Sequence, residues 1–300
     1  MSSASPKVSI GLPVYNGEQY LALTIDSILA QTFQDFELII SDNCSTDRSG
    51  EICRQYAAKD SRIRFFPSEV NRGANRNFRR VFELARGPYF RWASADDIFA
   101  PDSVAACVEV LDPNEDAVLC YPKTILVDGT GAVIGPYEDG LDLRSESAVE
   151  RYCLAASRIG LVNVHYGLMR TEMVKKTRLI RHYLGADIVF LLELTLHGKF
   201  LEIDRPLFYR RMHEQASSNM KSSLPELQAY LDPSRKGRLF SRRWQTFSDQ
   251  VVAVLRGPLS LTERIQLLYF LVRGVVAGRD EYLRELVAIA RAVLPRPRQL

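Results

Sequence analysis

The fold of this chain is decided near its amino terminus by residues 8–47, which read VSIGLPVYNGEQYLALTIDSILAQTFQDFELIISDNCSTD. Lys7 to Val14 and Phe36 to Ser41 are short runs rich in apolar residues, and each predicts a buried strand. Between them, Glu18 to Gln31 places its apolar residues at helical spacing. A strand, a helix and a second strand in this order predict two parallel strands joined by a crossover helix.

The same alternation continues for about another 75 residues. It predicts further strands and helices at 47–58 (helix), 63–66 (strand), 74–85 (helix), 89–93 (strand), 101–111 (helix) and 117–121 (strand). Strict alternation is typical of a mostly parallel sheet covered by helices on both faces. The expected class is therefore α/β, with a Rossmann-like central sheet.

After Tyr121 the pattern changes. It predicts a hairpin turn at 127–133, a loop at 135–146, a strand at 163–169, a helix at 187–197, a strand within 200–212, a linker at 215–236 and helices at 239–256, 261–277 and 280–293. We expect a catalytic domain over 1–220, with a nucleotide-binding half at 1–121 and an acceptor half at 122–220. A basic, amphipathic helical extension is expected over 221–300.

Composition narrows the class of protein. The chain has 300 residues, of which 46% are hydrophobic and 25% charged, as in a soluble globular protein. Its longest apolar run, Leu267 to Val272, is far shorter than a membrane span. Residues 1–6 are too polar for a secretory leader, and the five cysteines have no CxxC spacing. We therefore expect a cytoplasmic protein with reduced thiols, and the net charge of +3 argues against a nucleic-acid partner.

Polar clusters follow four of the predicted strands. They read PVYNG at 13–17, SDNCSTD at 41–47, NRGANRN at 71–77 and SADD at 94–97. Open parallel sheets bind ligands at the carboxyl ends of their strands, so these clusters predict one site of nucleotide size. Tyr15 could stack on a base, Asp42 could accept a hydrogen bond from a base or ribose, and Arg72 and Arg76 could face phosphate.

Two adjacent carboxylates close the fourth cluster. Asp96 and Asp97 are hard oxygen ligands suited to Mg²⁺ or Mn²⁺, and such an ion would stabilise a diphosphate leaving group. The chain has no GxxxxGK[ST] loop, and no GxGxxG follows the first strand. This argues against a P-loop ATPase and against an ordinary dinucleotide-dependent dehydrogenase.

Residues 8–47, NRGANRN and YFRWASADD, in this order, resemble glycosyltransferase family 2, whose members have the GT-A fold. The resemblance covers about the first two-thirds of the chain. It implies an inverting, metal-assisted transfer of a sugar from a nucleotide-diphosphate donor to a hydroxyl of a cell-surface glycan or a lipid-linked acceptor.

The resemblance also assigns the donor site. It places the nucleoside at Pro13, Val14, Tyr15, Asn16 and Asp42, and adds Asn71, Arg72, Arg76, Asp96 and Arg211 to the donor-binding residues. The Asp-x-Asp-Asp segment of the family falls on residues 94–97, where Ser94 replaces the first aspartate. Asp97 is then expected to bind the metal, Asp96 the ribose or the metal, and His213 to complete the metal sphere or contact the diphosphate.

The general base is assigned in the same way. A Glu-Asp pair commonly opens a late helix in the family, and here Ala186 stands in place of the glutamate and Asp187 in place of the base. An inverting transfer needs a carboxylate to accept the proton of the acceptor hydroxyl. The helix amino terminus is expected to keep that carboxylate ionised.

Plainer interpretations remain open for several residues. Asp96 and Asp97 could begin the loop before Pro101, Asp187 could be only a helix cap, and His213 could be a surface histidine. The Ser94 and Ala186 departures allow a degenerate protein that binds a nucleotide-sugar or glycan without turnover. A nucleotidyltransferase would need a Gly-rich basic loop after the first strand, and residues 16–19 do not supply one.

The carboxyl-terminal segment has two interpretations. Residues 232–300 hold 13 Lys and Arg against 6 Asp and Glu, and they carry apolar stripes at helical spacing. The predicted helices could pack on the catalytic domain or on a second copy, giving a homodimer. Alternatively, they could attach the enzyme peripherally to the anionic inner face of a membrane.

Overall fold

The structure is a computed structural model that describes residues 5–214, 224–235 and 241–293. It is built around one mixed β-sheet. Its strands within those residues are β1 (Val8–Val14), β2 (Phe36–Asp42), β3 (Ile63–Pro67), β4 (Tyr89–Trp92), β5 (Ile98–Phe99), β6 (Ala117–Asp128), β7 (Val133–Tyr137), β8 (Leu168–Arg170) and β9 (Lys199–Met212). The strand order is β3-β2-β1-β4-β8-β6-β9-β5, with β7 paired to β6.

The helices are α1 (Leu21–Leu29), α2 (Ser49–Lys59), α3 (Ala74–Glu83), α4 (Ser103–Leu111), α5 (Ala148–Arg158), α6 (Thr171–Lys176), α7 (Ala186–Thr195), α8 (Leu224–Leu231), α9 (Arg242–Arg256), α10 (Leu261–Ala277) and α11 (Arg279–Val293). Short 3₁₀ turns lie at Asn163–Tyr166 and Pro233–Arg235. Among the described residues, no helix combines the length and apolarity needed to cross a bilayer.

The parallel part of the sheet confirms the predicted fold class. β3, β2, β1 and β4 pair in parallel, and β6 pairs in parallel with β9. β8 is antiparallel to both β4 and β6 and joins the two parallel groups. Every residue of β1 and β2 is buried, because helices cover both faces of the sheet. This explains why both strands are nearly continuous apolar runs.

Two hydrophobic cores lie against the sheet. One contains Leu21 and Ile25 of α1 with the apolar residues of β1 and β2. The other contains Trp92 and Phe190 and extends to Val254 of α9 and Leu267 of α10. The carboxyl-terminal helices therefore share a core with the sheet. The predicted domain boundary near residue 220 lies outside the described residues.

The structure corrects three local predictions. The strand expected over 163–169 is instead a 3₁₀ turn followed by β8, because Val162 adopts a left-handed conformation with φ of 64° that starts the turn. The loop expected over 135–146 begins with β7, which pairs with the long strand β6 despite Gly135 and Pro136. The linker expected over 215–236 contains α8.

Gly73 provides a test of how α8 is held. Its backbone has φ of 87° and ψ of 156°, a region that is essentially reserved for glycine. A Cβ there would lie 2.3 Å from the carbonyl oxygen of Leu231 in α8. Gly73→Ala should therefore lower the free energy of unfolding by at least about 1–3 kcal/mol, measured by chemical denaturation. Gly274→Ala is the matched control: it lies within α10 with open space around its Cβ position, and should be stabilising by about 0.5–1 kcal/mol.

Candidate functional site

A cavity of about 170 Å³ opens at the carboxyl ends of β1 and β4. Its walls come from the β1–α1 loop, the residue after β2, α3, the β4–β5 segment, the end of β9 and α8. The predicted donor-site residues that line it are Pro13, Val14, Tyr15, Asn16, Asn71, Asp96 and His213. The structure therefore brings together predicted residues from three of the polar clusters and His213 from the end of β9.

The β1–α1 loop forms one wall of this donor cavity. Tyr15 is 38% exposed, which leaves its ring available to stack on a planar ligand. Asn16 has a positive φ of 50°, a conformation that asparagine tolerates better than most residues. Its side-chain oxygen accepts a hydrogen bond of 2.8 Å from the backbone of Thr46, which fixes the loop beside the end of β2.

Asp42 lies just behind the wall of the donor cavity. One carboxylate oxygen accepts hydrogen bonds from the backbone nitrogen of Ser45 at 3.1 Å and from its hydroxyl at 2.5 Å. The next residue, Asn43, does line the cavity and donates to the Asn71 side chain at 2.8 Å. Asn43 was not among the predicted site residues, although it lies in the SDNCSTD cluster.

The two predicted phosphate-binding arginines do not line the donor cavity. Arg72 is exposed, and its backbone nitrogen donates to the Asn43 side chain at 2.9 Å. The guanidinium of Arg76 lies 3.9 Å from the buried carboxylate of Asp232. Their roles in donor binding remain predictions.

Asp96 and His213 form the polar centre of the donor cavity. His213 Nε2 lies 2.9 Å from a carboxylate oxygen of Asp96, and the Ser94 hydroxyl donates to the other oxygen. Burial acts to raise the pKa of Asp96, but the hydrogen bonds from His213 and Ser94 outweigh it and hold the pKa below its usual value. Ser94, which departs from the family pattern, thus supports the Asp96 carboxylate.

Asp97 points into the protein interior. It is 3% exposed and accepts a hydrogen bond of 2.8 Å from the backbone nitrogen of Arg211. Burial and the neighbouring Asp96 charge raise its pKa well above the ordinary value. The Arg211 guanidinium donates to the carbonyl oxygens of Asp96 at 3.0 Å and Asp128 at 3.1 Å. These hydrogen bonds hold the segment that carries Asp96 and Asp97 against β6.

The arrangement can supply part of a metal site. Within the described residues, no group of three or more His, Cys, Asp or Glu side chains is positioned to hold a metal ion. Asp96 and His213 nevertheless offer one oxygen and one nitrogen ligand side by side in the wall of the donor cavity. Divalent cations at such sites commonly complete their coordination with substrate phosphates and water. The residues therefore fit a cation that enters with a diphosphate.

A second cavity of about 310 Å³ adjoins the first. The two share Ala74, Phe78, Tyr166 and Tyr230 in their walls. The second cavity also contains Asp187, which was predicted as the general base. The two cavities are therefore immediate neighbours.

Asp187 lies in the first turn of α7. That helix begins at Ala186, directly after Gly185, whose φ of 88° directs the chain into the helix. One carboxylate oxygen accepts a hydrogen bond from the backbone nitrogen of Ile188 at 3.0 Å. Burial raises the pKa of Asp187, although the backbone hydrogen bonds and the charges of Arg242 and Arg210 oppose this rise. Burial therefore outweighs the helix amino terminus in setting the direction of this pKa shift.

Two further residues of the second cavity were assigned no firm role by the sequence. Arg210 donates to the carbonyl of Leu161 and to the Asn163 side chain, the latter at 2.6 Å. His165 is 4% exposed and stacks on Trp92 with ring centroids 4.5 Å apart. Burial lowers the pKa of His165 to about 3, so its imidazole is neutral at physiological pH.

The sequence also missed three residues that shape the cavities. Asn77 donates to the carbonyl of Ser41 at 2.8 Å and that of Val14 at 3.3 Å, which ties the ends of β2 and β1 together. Its place in the NRGANRN motif was a usable signal. Tyr166 and Tyr230 carried none, because tertiary packing alone brings them to the cavities.

The fold and the paired cavities define a GT-A-type domain with a candidate nucleotide-sugar site. Residues 9–133 match the family model described as glycosyl transferase family 2. Residues 9–133 therefore resemble family 2 glycosyltransferases, as the sequence motifs predicted.

Two curated relatives of this chain are named as glycosyltransferases. The chain is 34% identical over 137 residues to an uncharacterized glycosyltransferase of Methanocaldococcus jannaschii, covering 44% of this chain and 47% of the relative. It is 33% identical over 116 residues to glycosyltransferase GlyG of Streptococcus pneumoniae, covering 38% of each chain. The chain thus spans less than half the length of these two relatives.

Solved structures share the fold. TarS residues 1–349 of S. aureus, in complex with UDP-GlcNAc, superposes with a TM-score of 0.66 at 18% identity, covering 90% of this chain and 73% of that one. A mannosyltransferase of Pyrobaculum calidifontis, in complex with GDP-Man and Mn²⁺, gives a TM-score of 0.53 at 14% identity, covering 97% and 87% of the two chains.

Proposed function

We propose that this protein transfers a sugar from a nucleotide-diphosphate donor to a hydroxyl group of a glycan or a lipid-linked acceptor. The observation that carries the proposal is the pair of adjoining cavities, one containing Asp96 and His213 and the other containing Asp187. The family 2 match and the UDP- and GDP-sugar complexes of the structural neighbours support this choice of donor.

The proposed reaction is a single displacement. The acceptor oxygen, bound in the second cavity, attacks the anomeric carbon of the donor and forms the new glycosidic bond. The bond from that carbon to the diphosphate oxygen breaks, and the nucleoside diphosphate leaves with the electron pair. Asp187 accepts the hydroxyl proton, and the configuration at the anomeric carbon inverts.

The donor residues have proposed roles that follow from their positions. Tyr15 stacks on the base, and Asn16, Asn43 and Asn71 offer amide groups to the nucleoside. Asp96 and His213 would hold Mg²⁺ or Mn²⁺. That ion would neutralise the diphosphate charge as it develops. Asp97 and Arg211 act as positioning residues, because they fix the segment that carries Asp96.

A thermal-shift screen tests the donor site. The purified protein is heated with UDP, GDP, dTDP or CMP, each in Mn²⁺, Mg²⁺ or EDTA. We expect one nucleoside diphosphate to stabilise the protein in metal and much less in EDTA. A ligand at ~100 times its dissociation constant adds roughly 2.7 kcal/mol to the free energy of unfolding. If none of the nucleotides raises the melting temperature, the donor-site proposal fails.

A protein that binds the same donor without turnover is the second candidate. Ala186 favours it, because the residue before Asp187 carries no carboxylate. Metal-dependent nucleotide binding with neither donor hydrolysis nor transfer, across a panel of glycan and lipid acceptors, would support this candidate over the transferase.

A further inference from the structure

Exposed apolar side chains are concentrated on the last three helices. Among the described residues, fifteen large apolar side chains are notably exposed, and ten of them lie between Leu255 and Val287. A concentration of this kind is unusual on a free protein surface and marks an interaction site.

The exposed side chains form one stripe along α10. Leu261, Ile265, Tyr269, Val272 and Val276 follow one another at intervals of three or four residues, so they share one side of the helix. They are between 51% and 74% exposed. The other side of α10 contributes Leu267 and Leu271 to the hydrophobic core. This helix is therefore anchored by one apolar side and offers a second apolar side to its surroundings.

Arginines border the stripe. At 100° per residue, Arg264 falls just beyond one edge and Arg273 just beyond the other, with no charged residue of α10 between them on that side. The Arg273 guanidinium lies 5.8 Å from the centre of the Tyr269 ring. Long basic side chains at the margins of an apolar stripe can bury their stems while their charges reach outward.

The nearby acidic side chains are engaged within the protein. Glu263 accepts from Ser260 at 2.7 Å in the capping box of α10. Glu281 pairs with Arg243 at 2.5 Å, and Glu285 accepts from Ser241 at 2.6 Å. On α10 itself, the exposed charged side chain that borders the stripe is therefore Arg273.

We propose that the exposed side of α10 docks on a bilayer surface that contains anionic phospholipids. The apolar stripe would lie at the boundary between headgroups and acyl chains. Arg264 donates to the Gly257 carbonyl at 3.3 Å, so the exposed Arg273 is the bordering arginine that would meet lipid phosphates. A second copy fits this surface less well. A two-fold pairing of α10 about its middle would place Arg273 of each copy opposite Ile265 of the other and Arg264 opposite Gly274, so it would give these arginines no acidic partner.

The surface is connected to the candidate acceptor cavity by direct packing. α10 packs on α9 and α5, and α9 packs on α7, whose first turn carries Asp187. Docking would hold the second cavity near the lipid surface. This orientation suits a lipid-linked acceptor, and that consequence alone rests on the proposed function.

Flotation with phospholipid vesicles tests the docking. Vesicles of phosphatidylcholine, with or without an equal part of phosphatidylglycerol, are mixed with the parent, with Ile265→Gln/Val272→Gln, and with Val133→Gln/Ile134→Gln. The control pair is also exposed, at 68% and 59%, but lies on β7. We expect the parent and the control to float with anionic vesicles, and the α10 variant to bind about 100-fold more weakly.

Three results would overturn the proposal. They are failure of the parent to float with anionic vesicles, equal binding to phosphatidylcholine alone, and unchanged binding by the α10 variant. Light scattering adds a fourth: a parent dimer that the α10 variant abolishes, without vesicle binding, would assign the surface to a second copy. The nucleotide thermal shift of each variant reports the donor site separately, so failure of the docking and failure of the proposed function can be distinguished.

Discussion

Replacing Asp187 by asparagine should lower the rate of sugar transfer by about 10²–10⁴-fold, the usual contribution of a positioned general base. Nucleotide binding should be unchanged, because Asp187 lies in the second cavity and does not line the first. The measurement is release of the nucleoside diphosphate with a productive acceptor, beside the thermal shift given by the nucleotide alone.

The stability of this variant separates a catalytic role from a structural one. Burial raises the pKa of Asp187, so folding favours its protonated form. Its contribution to stability is then present at low pH and is lost as pH rises through the raised pKa. Asp187→Asn should therefore melt at the same or a higher temperature than the parent at neutral pH. A structural cap would behave in the opposite way, since its removal would lower the melting temperature.

The pH dependence of the transfer rate follows from the same raised pKa of Asp187. Transfer should decline as pH falls through the raised pKa of Asp187, at a higher pH than an ordinary aspartate would give. Glu193→Gln is the matched control, because Glu193 is a buried carboxylate of α7 whose pKa burial also raises, and it does not line either cavity. The control should keep its transfer rate. Parent-like transfer by Asp187→Asn would contradict the base assignment.

Replacing Asp96 by asparagine should remove most of the extra nucleotide stabilisation that Mn²⁺ or Mg²⁺ provides. A metal ion typically supplies several kcal/mol of charge stabilisation in the transition state, so transfer should fall by roughly 10³-fold. EDTA added to the parent should imitate the variant. Equal metal-dependent thermal shifts in variant and parent would exclude Asp96 as a ligand.

Without metal, Asp96→Asn should change the melting temperature in the opposite direction from Asp187→Asn. Despite burial, His213 and Ser94 hold the pKa of Asp96 below its usual value, so folding favours the ionised form. That contribution is present at neutral pH and is lost as pH falls through the lowered pKa. Asp96→Asn should therefore melt below the parent at neutral pH, with a smaller difference in acid.

Asp112→Asn is the matched control for Asp96→Asn. The hydrogen bond from Lys7 is the main cause that lowers the pKa of Asp112, and this carboxylate does not line the donor cavity. It should show a similar pH trend in stability, with metal-dependent nucleotide binding unchanged.

The sequence predicted the parts of the fold and site that local patterns encode. The alternation of strands and helices up to Tyr121 was sufficient for the fold class, because two-sided burial makes β1 and β2 continuous apolar runs. The motif positions likewise brought Tyr15, Asn71 and Asp96 to one cavity. Each of these residues lies within four residues of the end of a strand or the start of a helix, so its place depends on short-range structure.

The remainder depended on contacts between distant segments. Nothing around Asp97 indicates that the backbone of Arg211 would occupy its carboxylate, since the two residues are 114 positions apart. Tyr230 reaches both cavities through the packing of α8 on α3, which Gly73 permits. The raised pKa of Asp187 likewise reflects burial by several elements, whereas its helical position alone suggested the reverse.

The pairing of β6 with β9 limits how such enzymes could be recombined. These strands pair from Ala117–Lys199 to Asp128–Met212 with shifts of register between, and Arg211 binds both the Asp96 segment and Asp128. A chimera joined at the end of the family match, residue 133, would unite a foreign β9 with a native β6. To keep the donor centre intact, the graft would have to bring an arginine at the position of Arg211 and a histidine two residues later. The part of the chain before residue 133 and the part that contains β9 can therefore not be exchanged independently of each other in this fold.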